Sequence, residues 1–321
     1  MACDWDIADY VGSKIDTWPV AIPSLGREDL LVEQTLSTLL EYGVPAGRIH
    51  VFLHPTKKRQ DGSSEFEAYS RHLRRHKFYR VHLHAGGSTL MLQYRAIFKF
   101  FHGFSKVVVM SDTVPGFVWR KHLNHTTVAP LPKDLFSALV ALAFDMTAME
   151  RLHCWSLGPC KCPRNMSPGR VCRRVGLLDG NCFGINLSEK AAPLLRVSNY
   201  TTDVEFSCRV WKRDGGFLRY LGVSALHKYR QQGGHKNIGV RATLRARKTA
   251  DAICKLSRQF PDLIAFEGYG SCTHANMPYR FLRVGRDHSL IKGMYTNRGR
   301  RTESKQSARS PKQRMHKHRL G

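Results

Sequence analysis

Short apolar runs that alternate with helix-length segments constrain the fold of this chain most. The run Trp18–Ser24 predicts a buried strand, and the segment Glu28–Tyr42 predicts a helix that ends at Gly43. Arg48–Leu53 then predicts a second strand. A helix between two strands is long enough for the crossover that joins parallel neighbours. The chain is therefore expected to begin with a β-α-β unit of a parallel sheet.

The same alternation continues along the chain. Strands are predicted at Phe78–Leu83 and Lys106–Met110, separated by Gly86-Gly87 and a helix over Leu90–Phe101. Glycine, proline or polar residues follow each strand, at the carboxyl edge where open α/β sheets bind ligands. Two more helices are predicted at Leu135–Leu152 and Arg241–Phe260. A further strand is predicted at Cys182–Leu187, and a helix start at Thr201–Phe206. The predicted class is α/β, with a mostly parallel central sheet and flanking helices.

The charge of the chain indicates a polyanionic partner. It has 51 Lys and Arg residues and 25 Asp and Glu residues, which gives a formal net charge of +26. Nucleic acid is the favoured partner, and anionic membranes, acidic glycans or donor phosphates are the alternatives. Residues 297–321 are basic with few apolar positions and are expected to form a disordered tail, while residues 1–17 form an N-terminal extension.

Apolar patterning and cysteine usage bear on the compartment. We expect no membrane span and a soluble intracellular protein, because no apolar run approaches roughly 20 residues and no leader pattern begins the chain. The nine cysteines are odd in number and mostly scattered, so most are expected to be reduced. Residues 153–182 are interpreted as a Cys-rich loop. A structural zinc site there is the alternative, from His153, Cys154, Cys160, Cys162, Cys172 and Cys182.

Asp112 is the first candidate for chemistry. It follows Ser111, just after the end of the strand Lys106–Met110. A buried carboxylate is costly unless it meets a cation or hydrogen-bond donors. Magnesium or manganese uses one or two carboxylates together with substrate phosphates, so Asp112 and a diphosphate are a suitable pair of ligands. The alternative is an aspartate that caps the turn at Val114–Gly116.

Other candidates fall at the same predicted edge. Pro23, Ser24 and Arg27 close the first strand, where turn amides and a guanidinium suit a nucleotide base or phosphates. Gln93 and Arg95 follow the Gly86-Gly87 turn. For Arg27 and Arg95 the alternative is a solvated surface charge. Gly233-Gly234, a weak glycine motif, predicts a flexible phosphate-binding loop.

Asp203 and Glu205 are candidates for a general base. Glycosyl transfer to a hydroxyl needs a base that removes the acceptor proton, and a carboxylate near the donor serves that role. Residues two apart share a face on an extended stretch but diverge on a helix, so only one of them is expected to be catalytic. The alternative is an acidic pair that stabilises a helix N-terminus.

Four ordered segments resemble the TET-associated glycosyltransferases. They are Ile22–Arg27, Gly86-Gly87 with Gln93–Ile97, Val109–Gly116 and Asp203–Ser207, within a region from about Trp18 to Phe266. Those proteins have a GT-A fold, are best represented in bacteriophages, and are proposed to add sugars to hydroxymethylated pyrimidines in DNA. The resemblance implies a GT-A-like domain over residues 18–296, with a nucleotide-sugar-binding half at 18–130 and an acceptor half at 131–296.

The resemblance also implies roles for two residues. Asp112 corresponds to the first acidic residue of the metal and diphosphate motif, and Asp203 corresponds to the catalytic base. Thr113 and Thr202 stand where further acidic residues are usual. Metal affinity is then expected to be weak, with arginine or lysine sharing the diphosphate charge, or catalysis is lost.

The expected function is inverting transfer of a sugar, from a donor such as a UDP-sugar with manganese or magnesium, to a hydroxymethylated pyrimidine such as hydroxymethylcytosine in DNA. Two alternatives stay open. One is a glycosyltransferase that acts on a glycan, lipid or protein. The other is a catalytically degenerate nucleic-acid-binding protein that keeps the GT-A scaffold.

Overall fold

The computed structural model describes residues 18–59, 61–159, 162–188, 200–227, 242–267 and 279–282. Its helices are α1 (Glu28–Leu30), α2 (Ser37–Glu41), α3 (Glu65–Arg75), α4 (Leu90–Phe100), α5 (Leu135–Met149), α6 (Thr202–Asp214) and α7 (Ala242–Gln259). Its strands are β1 (Val20–Pro23), β2 (Ile49–Leu53), β3 (His82–Ala85), β4 (Val107–Met110), β5 (Phe117–Trp119), β6 (Ala129–Pro130), β7 (Cys154–Leu157), β8 (Val171–Cys172), β9 (Cys182–Ile185), β10 (Leu218–Tyr220), β11 (Val223–Ala225), β12 (Ile264–Phe266) and β13 (Tyr279–Phe281).

Eight of these strands form one sheet in the order β3-β2-β1-β4-β9-β7-β10-β8. The first four strands of that order are all parallel, and β7 and β10 are parallel to each other. β9 lies antiparallel between β4 and β7, and β8 is an antiparallel edge. The predicted class is confirmed: the fold is α/β with a mostly parallel central sheet and flanking helices.

Alternate residues of the central strands supply two hydrophobic cores. Val108 and Met110 of β4 face one core, which also holds Phe136 of α5. Val107 and Val109 face the other, together with residues of α4, α6 and α7. Because side chains on a strand alternate between faces, both faces of this sheet are covered, and its strands can be apolar throughout. The sheet joins strands from both predicted halves of the chain.

The first predicted helix is correct in extent but irregular inside. A six-residue π-helix, Leu31–Leu36, separates α1 from α2. The helical segment ends where predicted, since Gly43 has a φ of +76°, a conformation that glycine adopts at little cost.

The third predicted strand was placed too early. The structure puts β3 at His82–Ala85, because the preceding residues form turns after α3. Helix α3 itself was not predicted, although Ser64 and Glu67 form a capping box at its start. Charged residues dominate the sequence of α3, so the apolar positions that pack inward are difficult to recognise as a helical pattern.

The interpretation of residues 153–182 as a loop was wrong. This segment contains β7, which pairs with β9 and β10 inside the central sheet, and the short strand β8. Only four residues make up β7, all of them buried, which is too short a pattern to predict from periodicity. The extension at 1–17, Cys160, the Gly233-Gly234 motif and the tail at 297–321 lie outside the described residues.

Membrane spanning has no support in the described part of the chain, where no helix combines the length and apolar character that a bilayer crossing requires.

Three histidines lie close together at one end of the central sheet. His50 of β2 contacts His84 of β3 through ring nitrogens 2.9 Å apart, and its ring stacks on that of His82 at 4.8 Å between centroids. Burial, and then the neighbouring imidazoles, lower the pKa of His50 to about 4. Burial also lowers the pKa of His84. Both side chains are therefore neutral in the folded protein at neutral pH.

These lowered pKa values predict acid-sensitive stability. An unfolded histidine binds its proton near pH 6.5, so the free energy of unfolding should fall as pH drops from about 6.5 to about 4, by roughly 1–2 kcal/mol for His50 after allowance for solvent screening. Urea unfolding across this range measures the loss. His50→Gln should flatten the slope, whereas His102→Gln, at an exposed histidine, should leave it unchanged. An equal slope in wild type and His50→Gln would contradict the assignment.

Candidate functional site

Asp112 lies at the carboxyl end of β4, next to the carboxyl end of β1. Its side chain is 6% exposed, and its two oxygens have different partners. The Ser24 hydroxyl donates to Oδ2 at 2.8 Å, and the Arg27 guanidinium donates to Oδ1 at 3.1 Å. The structure thus brings together three residues that the sequence placed at one sheet edge, and a hydrogen-bonded ion pair compensates the buried carboxylate.

A chain of hydrogen bonds extends this pair to α3. The Tyr69 hydroxyl lies 2.7 Å from Ser24 Oγ and accepts a hydrogen bond from the Arg27 backbone N–H at 2.9 Å. Because Ser24 gives its only proton to Asp112, Tyr69 donates to Ser24. Glu65, four residues earlier on α3, accepts a hydrogen bond from the Gly26 N–H at 2.5 Å. The loop after β1 is therefore fixed by two residues of α3.

The opposite side of Asp112 is fixed by the π-helix. Thr35 donates to the Ser111 carbonyl at 3.0 Å and accepts from the Val114 N–H at 2.9 Å. Burial, opposed by Arg27 and Ser24, raises the pKa of Asp112 above the ordinary aspartate range. Burial raises the pKa of Tyr69 well above its usual value, so Tyr69 remains a hydrogen-bond donor.

Gln93 supports the loop after β1 from helix α4. Its amide nitrogen lies 3.4 Å from the Ser24 carbonyl, and the side chain is fully buried. Gly86 makes this position possible, since a Cβ there would lie 1.8 Å from Gln93 Oε1. Pro23 is the last residue of β1 and is buried. Arg95 is exposed on α4, away from the contacts that hold Asp112.

Asp203 reaches the same sheet edge through the turn before β9. The Ser111 N–H donates to the Asn181 carbonyl at 3.1 Å, which places this turn against the end of β4. A Cβ on Gly180 would lie 2.5 Å from Asp203 Oδ1 and 2.9 Å from the Tyr94 hydroxyl. Asp203 therefore lies beside the turn that contacts β4. Burial, with the charge of Asp203 as the next cause, raises the pKa of Tyr94 well above its usual value.

The two candidate bases have different environments. Asp203 and Glu205 lie in the first turn of α6, so their side chains diverge. Glu205 is fully buried and forms an ion pair with Arg209 at 2.7 Å, one helical turn away. Asp203 is partly exposed. Only Asp203 combines solvent access with a place at the sheet edge, so Glu205 is better explained as a partner of Arg209.

The polar groups around Asp112 do not form a ready metal centre. Asp112 is already paired with Arg27, and Thr113 is fully buried with its hydroxyl 3.1 Å from His227 Nδ1 and 3.3 Å from Ser111 Oγ. Within the described residues, no group of three or more His, Cys, Asp or Glu side chains is placed to hold a metal ion, as zinc or otherwise. The countercharge for Asp112 is the guanidinium of Arg27.

The residues that sequence reasoning missed are those that long-range contacts bring to the site. Tyr69, Thr35 and Gly180 each lie far in sequence from the atoms they contact. The tyrosine hydroxyl, for example, meets a serine 45 positions away. The capping box at Ser64 was the one available signal for α3, which carries Tyr69. A threonine within a helix and a glycine before a strand give no signal of this kind.

Neither a protein-family model nor a curated protein sequence matches this chain. Among solved structures, it is similar to the mannosyltransferase PcManGT from Pyrobaculum calidifontis in complex with GDP-Man and Mn²⁺, with 13% identity, a TM-score of 0.44, and coverage of 79% of this chain and 70% of that one. It is also similar to S. aureus TarS 1–349, with 9% identity, a TM-score of 0.38, and coverage of 75% and 66%.

A third similar structure is a cytidylyltransferase from Leptospira borgpetersenii, with 12% identity, a TM-score of 0.35, and coverage of 76% of this chain and 95% of that one. At these values the likenesses establish no function for the chain.

Removal of the Ser24 hydroxyl should destabilise the protein. Ser24→Ala removes one hydrogen bond from the Asp112 carboxylate and one from the Tyr69 hydroxyl, while the bonds of both groups to Arg27 remain, at a cost of about 1–3 kcal/mol. Ser156→Ala is a matched control: Ser156 is equally buried, and its hydroxyl has no hydrogen-bond partner within the described residues. The free energy of unfolding in urea compares the two. Equal effects would show that the Ser24 hydrogen bonds contribute nothing.

Proposed function

We propose that the protein is a glycosyltransferase that uses a nucleoside-diphosphate sugar and acts on a hydroxymethylated pyrimidine in DNA. The observation that carries the proposal is the joining of Ser24, Arg27 and Asp112 at the carboxyl ends of two adjacent parallel strands. Ligands of open α/β sheets bind at that edge. The resemblance of Ile22–Arg27, Val109–Gly116 and Asp203–Ser207 to TET-associated glycosyltransferases supplies the donor and acceptor classes.

Arg27 is the proposed contact for the donor diphosphate. A guanidinium offers five N–H donors, so Arg27 can bond Asp112 and a phosphate oxygen together. Its side chain is 14% exposed, which leaves part of it accessible to a ligand. Asp112 orients Arg27, and Ser24 orients Asp112. A manganese or magnesium ion shared with the diphosphate remains part of the proposal, with Asp112 as its protein ligand.

Asp203 is the proposed general base. In the transfer, the acceptor hydroxyl loses its proton to the Asp203 carboxylate, and its oxygen bonds to the anomeric carbon of the sugar. The bond from that carbon to the diphosphate breaks, and the leaving diphosphate keeps the electron pair. Arg27 stabilises the charge on the leaving group. A single displacement of this kind inverts the anomeric configuration.

Donor binding tests the pairing of Arg27 with Asp112. Titration calorimetry with a panel of UDP-sugars should show affinity losses of roughly tenfold or more for Arg27→Gln and for Asp112→Asn. Because the two residues act as a unit, the double variant should lose much less than the product of the single losses. Fully additive losses would contradict the pairing. Titrations with added manganese and with a chelator measure whether a metal contributes.

Transfer itself tests the role of Asp203. Incubation with UDP-sugars and hydroxymethylated DNA, followed by mass spectrometry of the nucleosides, should reveal a hexose on the modified base. Asp203→Asn should lower the rate by a factor of about 10² to 10⁴ with donor affinity retained. Unchanged nucleosides across the whole donor panel would refute the transferase proposal, and full activity in Asp203→Asn would refute the base assignment.

A substitution beside Asp203 tests its placement without removing the carboxylate. Gly180→Ala would push the Asp203 side chain away from its position and should lower transfer by roughly 10². Gly47→Ala is the control, because a Cβ there meets nothing within 4 Å. Equal activity in the two variants would show that the site tolerates displacement of Asp203.

A second candidate function is nucleic-acid binding without catalysis. Thr113 and Thr202 stand at positions where the TET-associated glycosyltransferases usually have acidic residues. Thr113 is buried, and its hydroxyl is hydrogen-bonded to His227. Salt-dependent DNA binding together with absence of UDP-sugar binding would favour this candidate over the transferase.

A further inference from the structure

The second half of α3 and the turn after it form a basic surface, which we name the α3 basic surface. In the ten residues 71–80 there is no aspartate or glutamate. Six exposed side chains of this segment are basic: Arg71, Arg74, Arg75, His76, Lys77 and Arg80. Attraction of cations to the carboxyl end of a helix accounts for Arg74 and Arg75, but not for the residues beyond the helix.

The cations of the α3 basic surface have little compensation within the protein. Arg71 lies 3.5 Å from Asp61, in a pair whose side chains are both more than half exposed. Within the described residues, Arg74, Arg75, Lys77 and Arg80 have no carboxylate partner. Arg71 and Arg75 are also four residues apart on one helix, a spacing at which like charges repel. An external anion would relieve this repulsion.

Lys77 occupies a position that favours glycine. It follows His76, the C-cap residue of α3, and its φ of +63° lies in the left-handed region. A non-glycine residue there is strained relative to glycine, which ends helices at this position most often. Lysine at this position therefore keeps a cation on the α3 basic surface at some cost in backbone strain.

The α3 basic surface lies beside the candidate site. Tyr69, which bonds the loop after β1, is on the same helix as Arg75, and six residues of helix correspond to about 9 Å along the axis. A cavity of about 390 Å³ is lined by residues of α3 and by Glu28, which follows Arg27 in the chain; its lining is Glu28, Arg59, Ala68, Arg71, His72 and Arg75. Through Glu28, the α3 basic surface adjoins the segment that carries Arg27.

We propose that the α3 basic surface binds the phosphate backbone of duplex DNA and presents it to the site at the ends of β1 and β4. This inference rests on the proposed function in one respect: the acceptor base is taken to be in DNA. Arginine forks suit phosphate oxygens, and backbone contacts position a duplex without reading its sequence. Tyr79, 70% exposed, is the one large apolar side chain exposed in residues 71–80, too little for docking to a membrane.

The test compares two triple variants with equal loss of charge. Arg74→Gln/Arg75→Gln/Arg80→Gln removes three cations from the α3 basic surface, and Lys121→Gln/Lys255→Gln/Arg258→Gln removes three exposed cations elsewhere. Fluorescence anisotropy with a short duplex is measured from roughly 50 to 200 mM salt. The slope of log K against log salt should become shallower by about 0.9 per cation in the α3 variant. The control should keep a slope close to wild type.

Lys77→Gly gives an independent readout. Glycine relieves the strain of the left-handed backbone, so the midpoint of thermal unfolding should rise. It also removes one cation, so the slope of log K against log salt should become shallower by about 0.9. An improved fold with weaker DNA binding cannot be attributed to structural damage. Unchanged DNA binding in this variant, or equal losses in the two triple variants, would overturn the proposal.

Parallel titrations identify other occupants and separate this proposal from the transferase. A loss of binding to phosphatidylserine vesicles or to a sulfated glycan, with duplex binding unchanged, would overturn the assignment to DNA. If transfer occurs but the α3 variant keeps its DNA affinity and its KM for DNA, only the surface proposal fails. If no donor yields a product but the α3 variant loses DNA binding, only the transferase proposal fails.

Discussion

The hydrogen bond from Ser24 to the buried Asp112 carboxylate connects the carboxyl ends of two neighbouring parallel strands, β1 and β4. A carboxylate so deeply buried would be unfavourable alone, and the Arg27 guanidinium and the Ser24 hydroxyl supply its compensation. Tyr69 fixes Ser24 and the backbone of Arg27 from α3, and Thr35 fixes the backbone on either side of Asp112. The geometry of the whole edge therefore depends on one buried charge and its partners.

The same edge brings together parts of the chain that are remote in sequence. β9 runs antiparallel beside β4, so the turn that precedes it lies at the end of β4 where Asp112 is found. Gly180 in that turn leaves room for Asp203 at the start of α6. The proposed donor contact and the candidate base thus share one edge, although Asp112 and Asp203 lie 91 positions apart in the chain.

Sequence reasoning predicted the elements whose signals are local. The buried runs of β1, β2 and β4 and the long apolar faces of α4 and α5 were bounded by clear breakers, and the edge that holds Ser24, Arg27 and Asp112 followed from them. Strand β7 was missed because four buried residues carry no period, and α3 was missed because charged residues dominate it. Tyr69 and Gly180 could not be predicted, since only tertiary packing brings them to the site. Glu205 was a reasonable candidate because it is a carboxylate, but its burial and its ion pair with Arg209 explain this residue better than a catalytic role does.

The central claim is that the edge formed by β1 and β4 binds the diphosphate of a nucleotide sugar through Arg27. A crystal structure of the full chain with a UDP-sugar tests this most directly. The account predicts phosphate oxygens within hydrogen-bonding distance of the Arg27 guanidinium, with Asp112 still bonded to Ser24 and the anomeric carbon facing Asp203. A nucleotide bound elsewhere, or one at this edge whose diphosphate has no contact with Arg27, would contradict it.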